Sequence, residues 1–467
     1  MRLGRLLAAA VMAGGCTPVA LPPPPEDPST LAGLKAGLAC SAHFVAGRGL
    51  EAIVAEELRG LPPGADTLPD PVLDPKARTA SVRFAAQLPP RVAFYREGFG
   101  CTTLPPGAAP ADAARVPRLG GAARDLGAAI AWPDGDRMPD TPLPESIDRE
   151  RLDALVASAF DGDTYGSGTR TVGIAIVHRG RLVAERYAPG FGPHTQSRSW
   201  SVAKSVTGAL VGIAVGAGRL RVEDPAPIPE WRPGDPRGAI RVEDLLHMSS
   251  GLERAGSVSY PVYYGGADSI EAITSVPLEA EPGTRWHYSN RDTLLLVRAL
   301  RAAIGDDAEY LAFPRSVLFD RIGMRSTVAE VDWRGNFVLS SQVFTTARDL
   351  ARLGLLYLQD GVWNGQRILP DGWVEYTRRP APGRATGLAA LFRYGVAGLL
   401  GYGAQFWLLG GLPFVPDDAY GALGSRGQCV AIVPSESLVV VRTGLDPEPG
   451  DVLWRQDRFI ADVVEAL

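Results

Sequence analysis

Lysine is scarce in this chain: of the 47 lysines and arginines only three are lysine, Lys35, Lys76 and Lys204. Arginine supplies almost every ordinary positive charge. A guanidinium does not deprotonate in a protein and an amine does, so a retained lysine is where proton transfer is to be sought. Histidine and cysteine are sparse as well, five and four residues, with no C-x-x-C pair and with the histidines scattered, so no metal-ligand spacing appears. No serine has glycine both two positions before and two positions after it, which removes the G-x-S-x-G elbow of a Ser-His-Asp hydrolase. Long blocks of like charge are missing too. With a formal net charge of -5 there is no electrostatic case for nucleic acid.

What is present describes a globular chain. At 467 residues, 46% hydrophobic and 21% charged, it is long enough for one large or two medium domains with a substantial core. Residues 1–15 place Arg2 and Arg5 ahead of the apolar Leu6 to Met12, the pattern of an export signal. The ending Ala13-Gly14-Gly15-Cys16 resembles a bacterial lipobox, with Ala13 where leucine is usual. Cys16 is then the lipidated residue and the membrane is met through a lipid anchor, cleavage by an ordinary signal peptidase after Gly15 being the alternative. Either way the protein is expected in the bacterial cell envelope, lipid-anchored or periplasmic. Residues 16–30, rich in proline, form a stiff tether.

Export puts the remaining cysteines in an oxidising compartment. Cys40 and Cys101 flank a self-contained block, and Cys429 lies in the apolar run Cys429 to Val433, so Cys40 is paired with Cys101 and Cys429 is left buried and free. Residues 31–146 then form a small α+β lead-in with a wrapping segment. It has one helical pattern, Glu51 to Leu58, two strand-like runs, Thr79 to Phe84 and Arg91 to Tyr95, and a connection poor in periodicity from Pro105 to Pro144. The main domain is placed at 147–467. Val172 to Val177 and Leu182 to Tyr187, joined by His178-Arg179-Gly180-Arg181, give a hairpin signal. Helical patterns follow at Asp244 to Leu252, Thr293 to Ile304, Thr346 to Leu358 and from Asp371-Gly372-Trp373, and three strands come late, Gln405 to Leu409, Gln428 to Val433 and Leu438 to Arg442. Trp454 to Leu467 reads as a terminal amphipathic helix. A hairpin in front and strands behind predict one sheet built from both ends of the domain.

Trp200-Ser201-Val202-Ala203-Lys204-Ser205 opens an apolar helical run, read as a helix starting at Ser201. Serine and lysine three positions apart share a face, beside the unpaired N–H groups of a helix start. That pairs a nucleophile with a base, because enclosure favours the neutral amine. A lone S-x-x-K also occurs on any solvated helix face and needs partners. Tyr288-Ser289-Asn290 offers a phenol and an amide that an extended or turn segment would aim at one pocket. Ala422-Leu423-Gly424-Ser425-Arg426-Gly427-Gln428 is small and glycine-rich immediately before a strand, which allows a substrate backbone to approach a strand edge. A loop tyrosine and a glycine-rich hairpin are the ordinary readings of the last two when each is taken alone.

In order, the three motifs resemble those of the penicillin-recognising serine hydrolases of the β-lactamase and penicillin-binding-protein-like family, over residues 150–467. The resemblance is to the class C branch, with 6-aminohexanoate-dimer hydrolase and related esterases. Leu245 to Leu252 and Ala347 to Gly354 look like that branch as well. It implies an α+β fold of the β-lactamase/transpeptidase type, with a central antiparallel sheet flanked by helices plus an all-helical region. It implies Ser201 as nucleophile, Lys204 as its base, Tyr288 as acid and base, and Asn290, Ala422, Gly424 and Ser425 around the substrate, the oxyanion resting on the N–H groups of Ser201 and Ser425. No cofactor is implied. Where class C β-lactamases carry lysine or histidine, this chain has Ala422, so hydrolysis of a small-molecule ester or amide is expected before that of a β-lactam, unless Arg426 reaches across the turn to a substrate carboxylate. A β-lactamase or D-Ala-D-Ala carboxypeptidase is the first alternative and a non-catalytic envelope binding protein the second.

Overall fold

The computed structural model describes residues 27–113, 127–138, 142–254, 259–382, 401–447 and 454–467. The export signal, Cys16 and most of the tether lie outside the described residues. The chain enters through Asp27, whose carboxylate accepts from the N–H groups of Ser29 and Thr30 and so caps helix α1, Pro28–Phe44. This helix was not expected. Leucine, alanine and glycine line it all round and most of its residues are buried, so it carries no amphipathic period to read. The helical pattern seen in the sequence is a single turn, α2 (Leu50–Ala52), which widens into a π-turn over Ile53–Glu57. Against α1 packs a four-stranded antiparallel sheet of β1 (Val72–Asp74), β2 (Thr79–Val82), β3 (Arg91–Arg96) and β4 (Gly100–Thr103). The two predicted strands are there, and β1 and β4, too short to show a pattern, were missed. The disulfide joins Cys40 of α1 to Cys101 of β4, and Cys429 is buried and free.

The main domain starts with α3 (Arg149–Ser158) and the predicted hairpin, β5 (Thr171–His178) and β6 (Arg181–Tyr187). A short strand β7 (Ser197–Arg198) leads into a 3-10 turn, Trp200–Val202, and then α4 (Ala203–Gly216). The helical region follows as α5 (Val242–Leu246), α6 (Ser269–Thr274), α7 (Asn290–Ile304) and α8 (Asp307–Pro314). Strands β8 (Val328–Ala329) and β9 (Val343–Thr345) join β7 in a small sheet of order β7-β9-β8. Next is α9 (Ala347–Leu358), capped by Thr346, whose hydroxyl accepts from the Asp349 N–H. Beyond it lie a two-strand turn, β10 (Val362–Trp363) with β11 (Gln366–Arg367), and α10 (Trp373–Thr377). The chain closes with β12 (Gly401–Tyr402), β13 (Trp407–Leu408), β14 (Tyr420–Gly424), β15 (Gln428–Val433), β16 (Leu438–Gly444) and α11 (Gln456–Val464).

The seven-stranded antiparallel sheet has the order β12-β13-β14-β15-β16-β5-β6, so the late strands and the front hairpin meet at the β16–β5 pair. One face of the sheet packs on the helical layer through α9 and α4, with Ala175, Val430, Val439 and Val441 in a core shared with Leu350 and Leu353. The other face is covered by α3 and α11 around Ile174, Val440 and Phe459. Two arginines of α9 hold the wrapping segment: Arg352 donates to the carbonyls of Pro133 and Gly135 and to Asp136, and Arg348 pairs with Glu185 and Asp136. Trp132 lies under the Arg352 guanidinium, 4.7 Å from it, and its indole donates to Gly180.

Candidate active site

Ser201 does not open the regular helix. It sits in the 3-10 turn before α4, where the preceding Trp200 has φ +48°, a left-handed conformation that is costly for a bulky residue. The Trp200 ring is held by the Arg198 guanidinium, 4.4 Å from its centroid, and Val202, Ala203 and Val206 are sunk in the core. This fixes Ser201 at the surface end of α4 with Lys204 one turn below, 1% exposed.

The Lys204 Nζ is 3.1 Å from Ser201 Oγ, 2.5 Å from Asn290 Oδ1 and 2.7 Å from the Ser340 carbonyl oxygen. Asn290 is turned the right way because its Nδ2 donates to Ser259 Oγ at 2.5 Å. An amide oxygen and a carbonyl oxygen can only accept, so they take two N–H bonds. The hydroxyl of Ser201 is the one partner of the three able to donate.

Asn290 is the first residue of α7, not part of an extended segment. Ser289 caps that helix at φ -137°, and Tyr288 precedes the cap. The Tyr288 ring centroid is 5.1 Å from Lys204 Nζ, and the ring stacks on Trp407 at 5.2 Å and meets Tyr402 edge-on at 5.8 Å. With Trp286 against Trp407 at 6.3 Å these rings form an aromatic wall.

The third motif ends strand β14 at Gly424, passes through a 3-10 turn over Ser425–Gly427 and opens β15 at Gln428, so its first half is strand and its second half the expected turn before one. Ala422 pairs with Val430 and Gly424 with Gln428 in β14, which also pairs with β13 at Tyr420 and Gly421. A Cβ on Gly424 would lie 2.5 Å from the Ser199 oxygen and 3.0 Å from the Ser201 nitrogen, so only glycine lets the strand end lie against the Ser201 turn. The Ser425 N–H follows one peptide later. Ala422 is 2% exposed and belongs to the core on the helical face. Arg426 does not reach toward a substrate carboxylate. Its guanidinium is buried and donates to the carbonyls of Glu56, Glu57, Arg59, Leu445 and Asp446.

Sequence reasoning missed Ser340 and Ser259. Ser340 acts through its carbonyl, which any residue type supplies, and Ser259 only through its hold on Asn290. It also missed two buried carboxyls beside the site. Asp292, two residues after Asn290, accepts from Ser250 Oγ at 2.9 Å; burial pushes its carboxyl up to about 7, against the lowering effect of Ser250, Ser289 and Arg291. Glu330 accepts from the Cys101 N–H and Ser41 Oγ and is likewise pushed up to about 7 by burial. Among the described residues no cluster of three or more His, Cys, Asp and Glu could hold a metal ion.

Comparison with solved structures gives the same architecture: a family VIII carboxylesterase with a TM-score of 0.52 at 15% identity and a penicillin-binding protein homologue from Caulobacter crescentus with 0.51 at 17%, each over 70% of this chain and 99% of the other. The fold is thus that of the β-lactamase/transpeptidase hydrolases. The chain belongs to the beta-lactamase family, whose model matches residues 152–462. Among curated relatives, 6-aminohexanoate-dimer hydrolase of Paenarthrobacter ureafaciens is 27% identical over 358 residues, which covers 71% of this chain and 86% of that protein.

Proposed function

We propose that the protein cleaves a small ester or amide through an acyl-enzyme on Ser201. Ser201 Oγ attacks the carbonyl carbon while its proton passes to Lys204 Nζ, and the developing oxyanion is met by the N–H groups of Ser201 and Ser425. The C–O or C–N bond then breaks as Tyr288 passes a proton to the leaving group. Water repeats the sequence on the acyl-enzyme and restores Ser201. The observation that carries this reading is that Lys204 Nζ lies within hydrogen-bond reach of the Ser201 hydroxyl while also meeting two obligate acceptors, Asn290 Oδ1 and the Ser340 carbonyl.

The substrate class follows from Ala422 and Arg426. With the first apolar and buried and the second committed to five carbonyls, neither offers a cation to a carboxylate beside the scissile bond. Neutral esters and amides are therefore favoured over β-lactams and D-Ala-D-Ala peptides, in keeping with the relative that is a 6-aminohexanoate-dimer hydrolase. The Cys40–Cys101 bridge and the N-terminal pattern support a place in the cell envelope, with Cys16 as the lipid anchor. Replacing Cys16 with alanine should then move the protein from the membrane to the soluble fraction.

The test is hydrolysis of a p-nitrophenyl ester beside nitrocefin. Ser201→Ala should abolish ester turnover, and Lys204→Arg should come close to doing so, since a guanidinium keeps the charge but cannot accept the proton. Retained turnover in Ser201→Ala removes the nucleophile. Faster cleavage of nitrocefin than of the ester by the unmodified protein removes the substrate class.

A further inference from the structure

The family match begins at residue 152, yet the block in front of it, Asp27–Thr103, reaches the back of the site at three places. Arg91 of β3 donates to the carbonyls of Tyr264 and Gly265, in the segment where Ser259 holds Asn290 and Tyr263 OH meets Ser340 Oγ. Glu330, joined to the disulfide by the Cys101 N–H, donates its own backbone N–H to Gln342, two residues after the carbonyl that takes Lys204. The third contact is the most direct. Arg426 stands next to Ser425 with φ +59° and is 6% exposed. Its Nη1 donates to Glu57 at 2.7 Å and its Nη2 to Glu56 at 2.9 Å and Arg59 at 3.3 Å, the last two carbonyls of the π-turn and one two residues beyond its end. Those carbonyls have no partner within their own helix and carry its negative end, so a guanidinium is the natural cap.

From these contacts we propose that the Asp27–Thr103 block is a positioning element of the active site, and that Arg426 is the positioning residue through which it sets the Ser425 N–H. The proposal rests on the reading of that N–H as an oxyanion donor. A glycine-rich turn between two strands can take several conformations, and Gly427, at φ +79°, gives this one little stiffness of its own. Five carbonyls around one planar group remove that freedom. The donor then stands ready before substrate arrives and needs no reorganisation during reaction.

Arg426→Lys tests this, because an ammonium keeps the charge and cannot span the same carbonyls. Labelling with a fluorophosphonate to completion counts the folded nucleophiles. Ester turnover is then expressed per labelled site, and affinity is measured for a trifluoromethyl ketone, which forms a tetrahedral oxyanion on serine. The labelled fraction and KM should stay within about twofold of the unmodified protein. Turnover per site should fall by about 10- to 100-fold, the range expected for a donor displaced by about 1 Å, and ketone affinity should fall by the same factor. Fewer labelled sites with full turnover per site would mean that Arg426 serves stability only, and the proposal fails. Should Arg426→Lys give no folded protein, Arg91→Lys loosens the same block at the Tyr264 end. It is expected to lower turnover per site by about tenfold, and unchanged turnover per site overturns the proposal. Ser201→Ala, run alongside, separates the two failures: activity surviving there defeats the acyl-enzyme reading itself.

Discussion

Lys204 shows how much chemistry one side chain takes from its surroundings. Asn290 and Ser340 hold two of its hydrogens, and Asn290 is itself held by Ser259. In the proposed mechanism the amine becomes an ammonium in the transition state, and a hydrogen bond to a charged group is worth about 1.5–3 kcal/mol. Asn290→Ala should therefore lower kcat/KM for a neutral ester by about 10- to 150-fold, measurable in steady-state assays, and an effect under threefold would show that the amide plays no part. The spacing of Ser201 and Lys204 and the Tyr288–Asn290 pair were legible because side-chain type and separation suffice for them. Ser340 was not, since its carbonyl has no residue signature. The two buried carboxyls give a pH effect of definite sign. Asp292 and Glu330 have folded-state pKa values raised from about 4 to about 7 by burial, so between those limits the folded state holds more protons than the unfolded one. Their contribution is fully present below about pH 4 and is lost as pH rises through about 7. Urea unfolding of Asp292→Asn and Glu330→Gln across that range should show a shallower decline than the unmodified protein, and identical curves would place both groups in ordinary solvent.

At the scale of elements, the sheet and the site depend on one close approach. Gly424 ends β14 where a Cβ would meet the Ser199 oxygen at 2.5 Å and the Ser201 nitrogen at 3.0 Å. Both atoms are backbone and cannot swing aside. Gly424→Ala should thus push β14 from the Ser201 turn by a few tenths of an ångström or more, and cost about 10- to 100-fold in kcat with little change in KM. A variant with full kcat would mean that the strand end yields without moving Ser425. Strands β5, β6, β15 and β16 were readable as apolar runs between turn signals, and α7, α9 and α11 as apolar stripes with polar faces. Helix α1 was not, because it is buried nearly all round. Strand β14 was hidden for a related reason: Tyr420-Gly-Ala-Leu-Gly424 has the composition of a loop, and its glycines are there for packing.

For the whole molecule the question is what the lead-in block adds to a domain whose family match starts behind it. In sequence the Cys40–Cys101 bridge looks like a staple for a block remote from the chemistry. In the structure that block has its own small core around Ala36, Ala39, Ile53 and Val82, while Leu31, Leu34 and Leu38 on another face of α1 enter the large core of the main domain. The block and the domain therefore share apolar surface as well as the contacts of Arg91, Glu330 and Arg426, and they should unfold together. The bridge closes a loop with a sequence separation of 61, which the chain-entropy model values at about 4 kcal/mol. Replacing both cysteines with serine should lower the unfolding free energy by roughly that amount, seen as an earlier urea midpoint in one transition common to tryptophan fluorescence and circular dichroism. Two separate transitions, an early one for the block and an unshifted one for the main domain, would show that the shared core does not couple them. A single shifted transition is what the Leu31, Leu34 and Leu38 face requires, because opening the block exposes those leucines and uncovers the core beneath them in the same step.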